Sequence, residues 1–414
     1  MEGEQAMRIM LYSPDSYGLG HVRRSLSVAE ALLSDRPRTS VRLVTGAPRA
    51  HYFDYPSRCD YLRLPIVTKD EGGRYVGTDD DLSLHETVQL RSRLIQEAAE
   101  SFHSDLLLVD HAPLGLCREI LPTLRRLGRG RSAALRILGM RDVIDEPAVV
   151  RAAWKKDGVL DVLRDCYDRI LVYGQRDLFD PVREYAIPPE ISCKLDFVGY
   201  IPRQGGTADL AELHRRFAPR TGRLVLLTLG GGGDGNRLLR VFLDAYEKLG
   251  PGPPFEVLAV TGPLMSPGKR AKFRALARNL PGFRLMEYAP NVPELMQAAD
   301  FVVSMGGYNT ICELASAGAR SLIVPRIFPR KEQLVRARLL AARGVARYLR
   351  PDELDSATLI REILDGFERE RPRPGWGLEF TGLDKTSLTI GRMLECHSLV
   401  GRNGSNPRQV RVAS

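Results

Sequence analysis

Apolar runs too short to be helices recur along the chain, and each gives way to a stretch whose apolar positions return with helical spacing. "RIMLYS" (8–13) predicts a first strand and "LGHVRRSLSVAEALLS" (19–34) the helix after it. "VRLVTG" (41–46), "DLLLVDH" (105–111) and "RILVYG" (169–174) predict further strands. Strands that are apolar throughout, with helices between them, belong to parallel sheets covered on both faces. The pattern then restarts. "RLVLLTLGGGGDG" (223–235) is a strand entering a glycine turn, and "NRLLRVFLDAYEKL" (236–249) is the next helix. "FEVLAVTG" (255–262), "FRLMEY" (283–288), "ADFVVSMGG" (299–307) and "RSLIVP" (320–325) continue the alternation.

Two serial α/β runs imply two doubly wound, Rossmann-like parallel-sheet domains. The join is expected near "FVGYIPRQGGTADL" (197–210), where a strand gives way to a Pro/Gly-rich stretch. This puts one domain at 1–200 and a second at 201–397. The polar, basic 398–414 has no apolar period and is expected to be a disordered tail. The segment "TKDEGGRYVGTDDDLS" (68–83) is irregular and is expected to be a surface loop.

Composition narrows the class. The chain has 414 residues, 43% hydrophobic and 27% charged, as a soluble globular protein does. No apolar run approaches the roughly 18–20 residues that span a bilayer. The opening "MEGEQAMRIMLYS" lacks the basic start and apolar segment of a secretory signal. Six scattered cysteines without a CxxC pair argue for a reducing cytosol and against a disulfide framework or structural zinc. The net charge of +9 suits an anionic partner: nucleotide, phospholipid surface or nucleic acid. It does not choose among them, and codon usage alone can produce it.

Four places can carry chemistry. The first is "SYGLGHVRRS" (16–25), a glycine turn between a strand and a helix. Gly18 and Gly20 let a ligand approach the backbone, and the helix start favours an anion. It departs from the dinucleotide fingerprint, because Arg23 replaces the third glycine and no ribose-binding acid ends the next strand. His21 stands where α/β folds hold ligands, and an imidazole there can deprotonate a hydroxyl or merely cap the helix. The second is "TLGGGGDGN" (228–236), including Gly231 and Gly232. Four consecutive glycines suit a diphosphate or a tight turn, and the GK[ST] ending of a P-loop is missing.

The third is "SMGGYNTICELASAG" (304–318). A helix is expected over Tyr308–Ala317, ended by Gly318. Thr310 and Glu313 fit a T-x-x-E capping box, which would explain the glutamate. Alternatively Glu313 faces a ribose, since a carboxylate accepts two hydrogen bonds and so matches a vicinal diol. The fourth is "VPRIFPRKEQLVRARLLAARG" (324–344), where Glu332 and Gln333 open a helix and can grip sugar hydroxyls. Residues 326–350 hold eight Arg or Lys and one acid, a pattern suited to an anionic ligand or surface. Asp110 and His111 in "VDHAP" (109–113) and Arg141, Asp142 and Asp145 in "MRDVIDEP" (140–147) also end strands. Each is placed to touch a substrate, orient His21, or simply cap its strand. "GTDDDLS" (77–83) follows no strand end and is expected to be an acidic loop. No HExxH, GxSxG or zinc-ligand spacing is found.

Together these stretches resemble the GT-B glycosyltransferases of family 28 type, which include the enzyme that forms lipid II, and a group of bacterial predicted glycosyltransferases. The resemblance covers residues 8–350 and is strongest from "SMGGYNTICELASAG" to "RKEQLVRA". It implies two Rossmann-like domains facing a cleft, an N-terminal one for the acceptor and a C-terminal one for a nucleotide-sugar donor. It implies that the backbone near Tyr288 and Ala289 holds the base and that Glu313 binds the ribose. Gly231, Gly232, Gly307, Tyr308, Asn309 and Thr310 would surround the diphosphate, and Glu332 and Gln333 would take the donor sugar. His21 would be the general base or orient the acceptor. From the residues themselves, Asp110 or Asp142 is the candidate to orient His21, and Gly18, Gly20, His111 and Arg141 are candidates for the acceptor side. The chain departs from the lipid II pattern in a shorter N-terminal glycine loop, and in Glu332 where that pattern has a glutamine pair.

The expected activity is inverting transfer of a UDP-linked sugar to a hydroxyl, with no cofactor and no metal. The acceptor is a lipid-linked sugar, a polysaccharide or a small metabolite. A cytoplasmic location is expected, with a lipid-linked acceptor placing the protein at the inner face of the membrane. Rival readings are a nucleotide-sugar hydrolase or 2-epimerase on the same fold, and a non-catalytic protein that lays its basic 326–350 face on an anionic surface. Nucleic acid is not an expected partner, because that face lacks interleaved aromatics.

Overall fold

The computed structural model describes residues 6–14, 20–69, 74–78, 81–129, 133–201 and 208–403. The chain divides into two units. One comprises the residues up to Asp142, Pro147–Tyr200 and those from Thr381 on; the other takes Val143–Glu146 and Ile201–Phe380.

The first unit is built on β1 (Met7–Ser13), β2 (Thr39–Thr45), β3 (Cys59–Arg63), β6 (Leu106–Asp110), β7 (Leu135–Arg141), β8 (Arg169–Tyr173) and β9 (Leu195–Phe197). They form one parallel sheet in the order β3-β2-β1-β6-β7-β8-β9. Between β3 and β6 lie β4 (Val67–Lys69) and β5 (Tyr75–Gly77), paired antiparallel. The expected surface loop at 68–83 is thus a short hairpin where it is described; Asp70–Gly73, Asp79 and Asp80 lie outside the described residues. The next helix, Leu84–Ser101, starts at a capping box in which Ser83 and Glu86 exchange hydrogen bonds. β3 carries no continuous apolar run because it is an edge strand, and most of its side chains are exposed or half-buried.

The second unit holds β10 (Leu224–Thr228), β11 (Glu256–Val260), β12 (Phe283–Met286), β13 (Phe301–Ser304), β14 (Ser321–Ile323) and β15 (Arg347–Tyr348). All pairs are parallel, in the order β12-β11-β10-β13-β14-β15. β10 and β11 are buried along their whole length, as strands covered on both faces must be. Phe242, Tyr246, Phe255, Phe283, Phe301 and Phe367 pack against one another, mostly edge to face, in the core beneath them.

In each sheet the strand order reverses once, between β1 and β6 and between β10 and β13. Ligands of doubly wound folds bind beyond the carboxyl ends of the strands at such a reversal. These two places position the candidate chemistry.

The C-terminal boundary differs from expectation. The last helix, Gly382–Asn403, belongs to the first unit, not to a domain ending at 397. Gly382 donates to the Tyr200 carbonyl at 3.1 Å, and Ser387 donates to Asp35 at 2.5 Å while accepting from Arg36 at 3.1 Å. The helix also runs six residues into the segment expected to be a tail; 404–414 lie outside the described residues. Among the described residues, no helix is long and apolar enough to cross a membrane.

Candidate active site

At the reversal in the first sheet, Gly20 opens the helix Gly20–Asp35 and His21 follows it. Gly18 lies outside the described residues. His21 Nδ1 is 2.5 Å from Asp110 Oδ2, at the carboxyl end of β6. Arg24, one turn further along the same helix face, closes a two-pronged bond on that carboxylate: Nε to Oδ1 at 2.9 Å and Nη2 to Oδ2 at 2.7 Å. Arg24 is 3% and Asp110 4% exposed. Burial alone would raise the Asp110 pKa, but the Arg24 guanidinium and then His21 outweigh it and hold the carboxyl well below the usual range. Asp110 is therefore an ion at neutral pH, and Nδ1 must be the nitrogen that donates to it. Arg24 Nη2 also lies 3.0 Å from Nδ1, but two donors do not bond and its hydrogen goes to Asp110. Arg141 Nη2 sits 3.3 Å from Nε2 and is a donor only, so the lone pair of His21 is on Nε2.

His111 adopts φ +64, a left-handed conformation uncommon outside glycine. Its amide donates to the Gly139 carbonyl at 2.7 Å, and its ring centroid lies 5.3 Å from that of His21. The sequence leaves Asp110 and Asp142 equivalent; the fold separates them. Asp142 is fully buried and takes the Tyr200 hydroxyl at 2.5 Å, whereas Asp110 meets Nδ1. The carboxyl end of β1 is held by a second buried cluster, in which Tyr12 donates to Glu119 at 2.5 Å and Arg91 bonds the same carboxylate at 2.6 Å.

In the second unit, the turn after β10 separates glycines that look alike in the sequence. Gly232 has φ +92, and a Cβ there would lie 2.2 Å from the Thr261 carbonyl. It is glycine because two backbones touch. Gly230 and Gly231 are exposed. Gly231 receives the Leu264 amide at 2.8 Å, and the helix Asn236–Glu247 then starts from Gly235. Beyond β13, Gly306 has φ +78 and a Cβ would strike Ile323 at 2.6 Å. Gly307 is the N-cap of the helix Tyr308–Ala317. This excludes the capping box proposed for Thr310 and Glu313: both lie inside the helix, and Glu313 is in its second turn at 7% exposure. The Tyr308 ring is buried beneath Arg336, whose Cζ is 5.6 Å from its centroid. What Tyr308, Asn309 and Thr310 bring to a ligand together is the backbone of a helix start.

The helices starting at Asn236, Tyr308 and Glu332 have no side-chain cap. In the same unit Asp209 and Asp355 cap the helices Leu210–Phe217 and Ser356–Phe367, while Pro267–Ala277 and Val292–Ala298 also start without a side-chain cap. A helix start carries a partial positive charge that suits an anion. At the same edge, after β12, Tyr288 is exposed and Ala289 buried.

Glu332 and Gln333 open the helix Glu332–Ala342 as expected, but neither side chain stands alone. Gln333 Oε1 accepts from the Arg326 amide at 2.8 Å. Arg326 Nη2 bonds Glu332 Oε1, and its Nη1 reaches Asp234 of the glycine turn at 3.1 Å. Arg24 and Arg326 were both missed from sequence. The i, i+3 spacing of Arg24 from His21 was a usable signal; nothing local marked Arg326. Much of the basic run 326–350 is tied down, since Arg326, Lys331, Arg347 and Arg350 are ion-paired and Arg336 is buried, while Arg330 and Arg338 are exposed. Among the described residues no group of three or more His, Cys, Asp or Glu could hold a metal ion.

Residues 225–373 match the model of the glycosyltransferase family 28 C-terminal domain. The match spans the glycine turn, the Gly306–Gly307 helix start and Glu332. Over these residues the chain is of glycosyltransferase family 28 type, and its fold is that of GT-B glycosyltransferases. The family 28 chain is 33% identical over 149 residues to the UDP-N-acetylglucosamine–N-acetylmuramyl-(pentapeptide) pyrophosphoryl-undecaprenol N-acetylglucosamine transferase of Rubrobacter xylanophilus, covering 35% of this chain and 41% of that one. Its counterpart in Mannheimia succiniciproducens is 26% identical over 274 residues, covering 63% and 71%. The chain thus spans under half the length of the first relative. TcCGT1, solved in complex with UDP, superposes with a TM-score of 0.67 at 12% identity, covering 95% of this chain and 100% of that one, a likeness of fold alone.

Proposed function

We propose that the protein transfers a sugar from a UDP-linked donor to an acceptor hydroxyl, inverting the anomeric carbon and using no metal. The observation that carries the proposal is the set of uncapped helix starts beside glycine-opened turns, flanking the reversal in the second sheet. Such an edge suits a diphosphate. Gly231 and the Gly307–Thr310 helix start take the diphosphate, Glu313 the ribose, the backbone at Tyr288–Ala289 the base, and Glu332 with Gln333 the sugar. Relatives that use UDP-N-acetylglucosamine support a UDP donor.

In this reading the acceptor hydroxyl gives its proton to His21 Nε2. Its oxygen attacks the anomeric carbon as the bond to the diphosphate breaks. Asp110 stabilises the imidazolium that forms, and Arg24 fixes Asp110. Helix N-termini receive the charge of the leaving diphosphate, the role a metal fills elsewhere. His111 and Arg141 face the acceptor, which is a lipid-linked sugar, a polysaccharide or a small metabolite. Asp142 supports the fold from within.

A thermal-shift panel of UDP-, GDP- and dTDP-sugars tests the donor, followed by calorimetry with UDP. UDP compounds should stabilise the protein most, and Glu313→Ala should weaken UDP by about tenfold or more. Unchanged affinity in that variant would remove Glu313 from the ribose. A panel with no response would end the proposal, and rapid sugar release without acceptor would favour a hydrolase or epimerase.

A further inference from the structure

Two carboxylates lie at the strand edge where a diphosphate is expected. Asp234 lies in the glycine turn itself, and Glu332 opens a helix at the same strand edge. Glu332 is only 15% exposed, so water screens it poorly. Two carboxylates beside a doubly charged diphosphate would oppose binding, and the helix starts supply only partial charges against them.

One side chain stands between these groups. Arg326 leaves the carboxyl end of β14 after Val324 and Pro325, bonds Asp234 with Nη1 and Glu332 with Nη2, and gives its backbone amide to Gln333. Its side chain is 22% exposed. Arg326 Nε and Glu332 Oε2 are buried without a hydrogen-bond partner. Each terminal nitrogen of the fork thus gives one hydrogen bond to one of the two acids. The contact to Gln333 Oε1 also fixes that amide, turning its NH2 group, the donor end, away from Arg326.

Resting on the donor reading above, we propose that Arg326 is the counter-charge that lets a nucleoside diphosphate enter this site: it neutralises Asp234 and Glu332 and presets Gln333. Arg326 is a positioning residue, acting through the two carboxylates. The chemical class it admits is a diphosphate ester, and the residue matters for UDP itself, before any sugar is recognised.

The test is calorimetry with UDP at low salt on folded variants, each checked by thermal melt. Arg326→Gln should weaken UDP at least tenfold. Arg326→Lys, which keeps the charge but loses the two-nitrogen fork, should regain only part of the affinity lost in Arg326→Gln. The triple variant Asp234→Asn, Arg326→Gln, Glu332→Gln should regain most of the lost affinity, because the repulsion is gone. Raising the salt should narrow the gap between Arg326→Gln and the parent. Parent-like UDP binding by Arg326→Gln overturns the proposal. So does a triple variant as weak as Arg326→Gln, which would mean that Arg326 grips the phosphate itself or only holds the fold. Failure of the parent protein to bind UDP would instead overturn the donor reading, and this inference with it.

Discussion

The two units share a topology and put their candidate chemistry at the same topological place, yet they fill it with opposite materials. The first unit uses side chains: a buried Asp110, a fork from Arg24, and an imidazole whose tautomer the neighbours dictate. The second uses backbone: glycine turns and helix starts left without side-chain caps. A proton acceptor needs a specified lone pair, which only an ordered side-chain network can hold. A diphosphate needs several donors at once over a wide surface, which open backbone supplies without side-chain entropy. One scaffold supports both, because the reversal of strand order opens a space at the strand ends and leaves its lining free to vary.

The largest effect is expected from His21→Ala. If the first unit supplies the acid–base chemistry, turnover should fall roughly 10³-fold while UDP affinity is unchanged. Full turnover in a transfer assay would refute the assignment.

Asp110→Asn comes next. It leaves Arg24 buried without its counter-ion and removes the acceptor for Nδ1–H. Turnover should drop by roughly 10²-fold and stability by about 3 kcal/mol at neutral pH. The pH dependence has a definite sign. The Asp110 pKa is lower in the folded state, so its contribution is complete above the value of about 3.9 for a free aspartate and drains away as pH falls below that. The gap in Tm between variant and parent should hold from pH 7 down to about pH 5 and close at lower pH. A gap that closes near pH 6.5 would point to His21 as the titrating partner.

The smallest effect separates glycines within the second unit. Gly232→Ala forces a Cβ onto the Thr261 carbonyl at a left-handed φ and should cost about 2 kcal/mol or more. Gly231→Ala meets only the flexible end of Leu264, at 3.1 Å, and should cost less than about 1 kcal/mol. Equal losses in urea titrations would show that the whole turn is rigid.

Much of this was legible in the residues. The alternation of apolar strands and helices gave both sheets, because burial on two faces leaves continuous apolar runs. The helix at Tyr308–Ala317 was expected with the bounds it has, since glycines bracket it. The hairpin at 67–77 was not seen, because strands this short and half-exposed leave no apolar period. The T-x-x-E pattern suggested a cap at Thr310, but the helix starts at Tyr308 with Gly307 as its N-cap, so Thr310 already lies inside it. A motif of two residues cannot say where a helix begins.

The sequence by itself determined the periodicities, the glycine turns and the presence of acids and bases at strand ends, because these depend on neighbours along the chain. Which acid serves which base was decided only by the order of strands. Asp110 and Asp142 both follow apolar strands, but β6 lies beside β1 and β7 one place further out, so only Asp110 comes within hydrogen-bond reach of His21 Nδ1. The same holds for Arg326, which reaches an aspartate 92 positions away because β14 lies two strands from β10. Pairings at that separation depend on sheet order, and sheet order is a property of the whole fold.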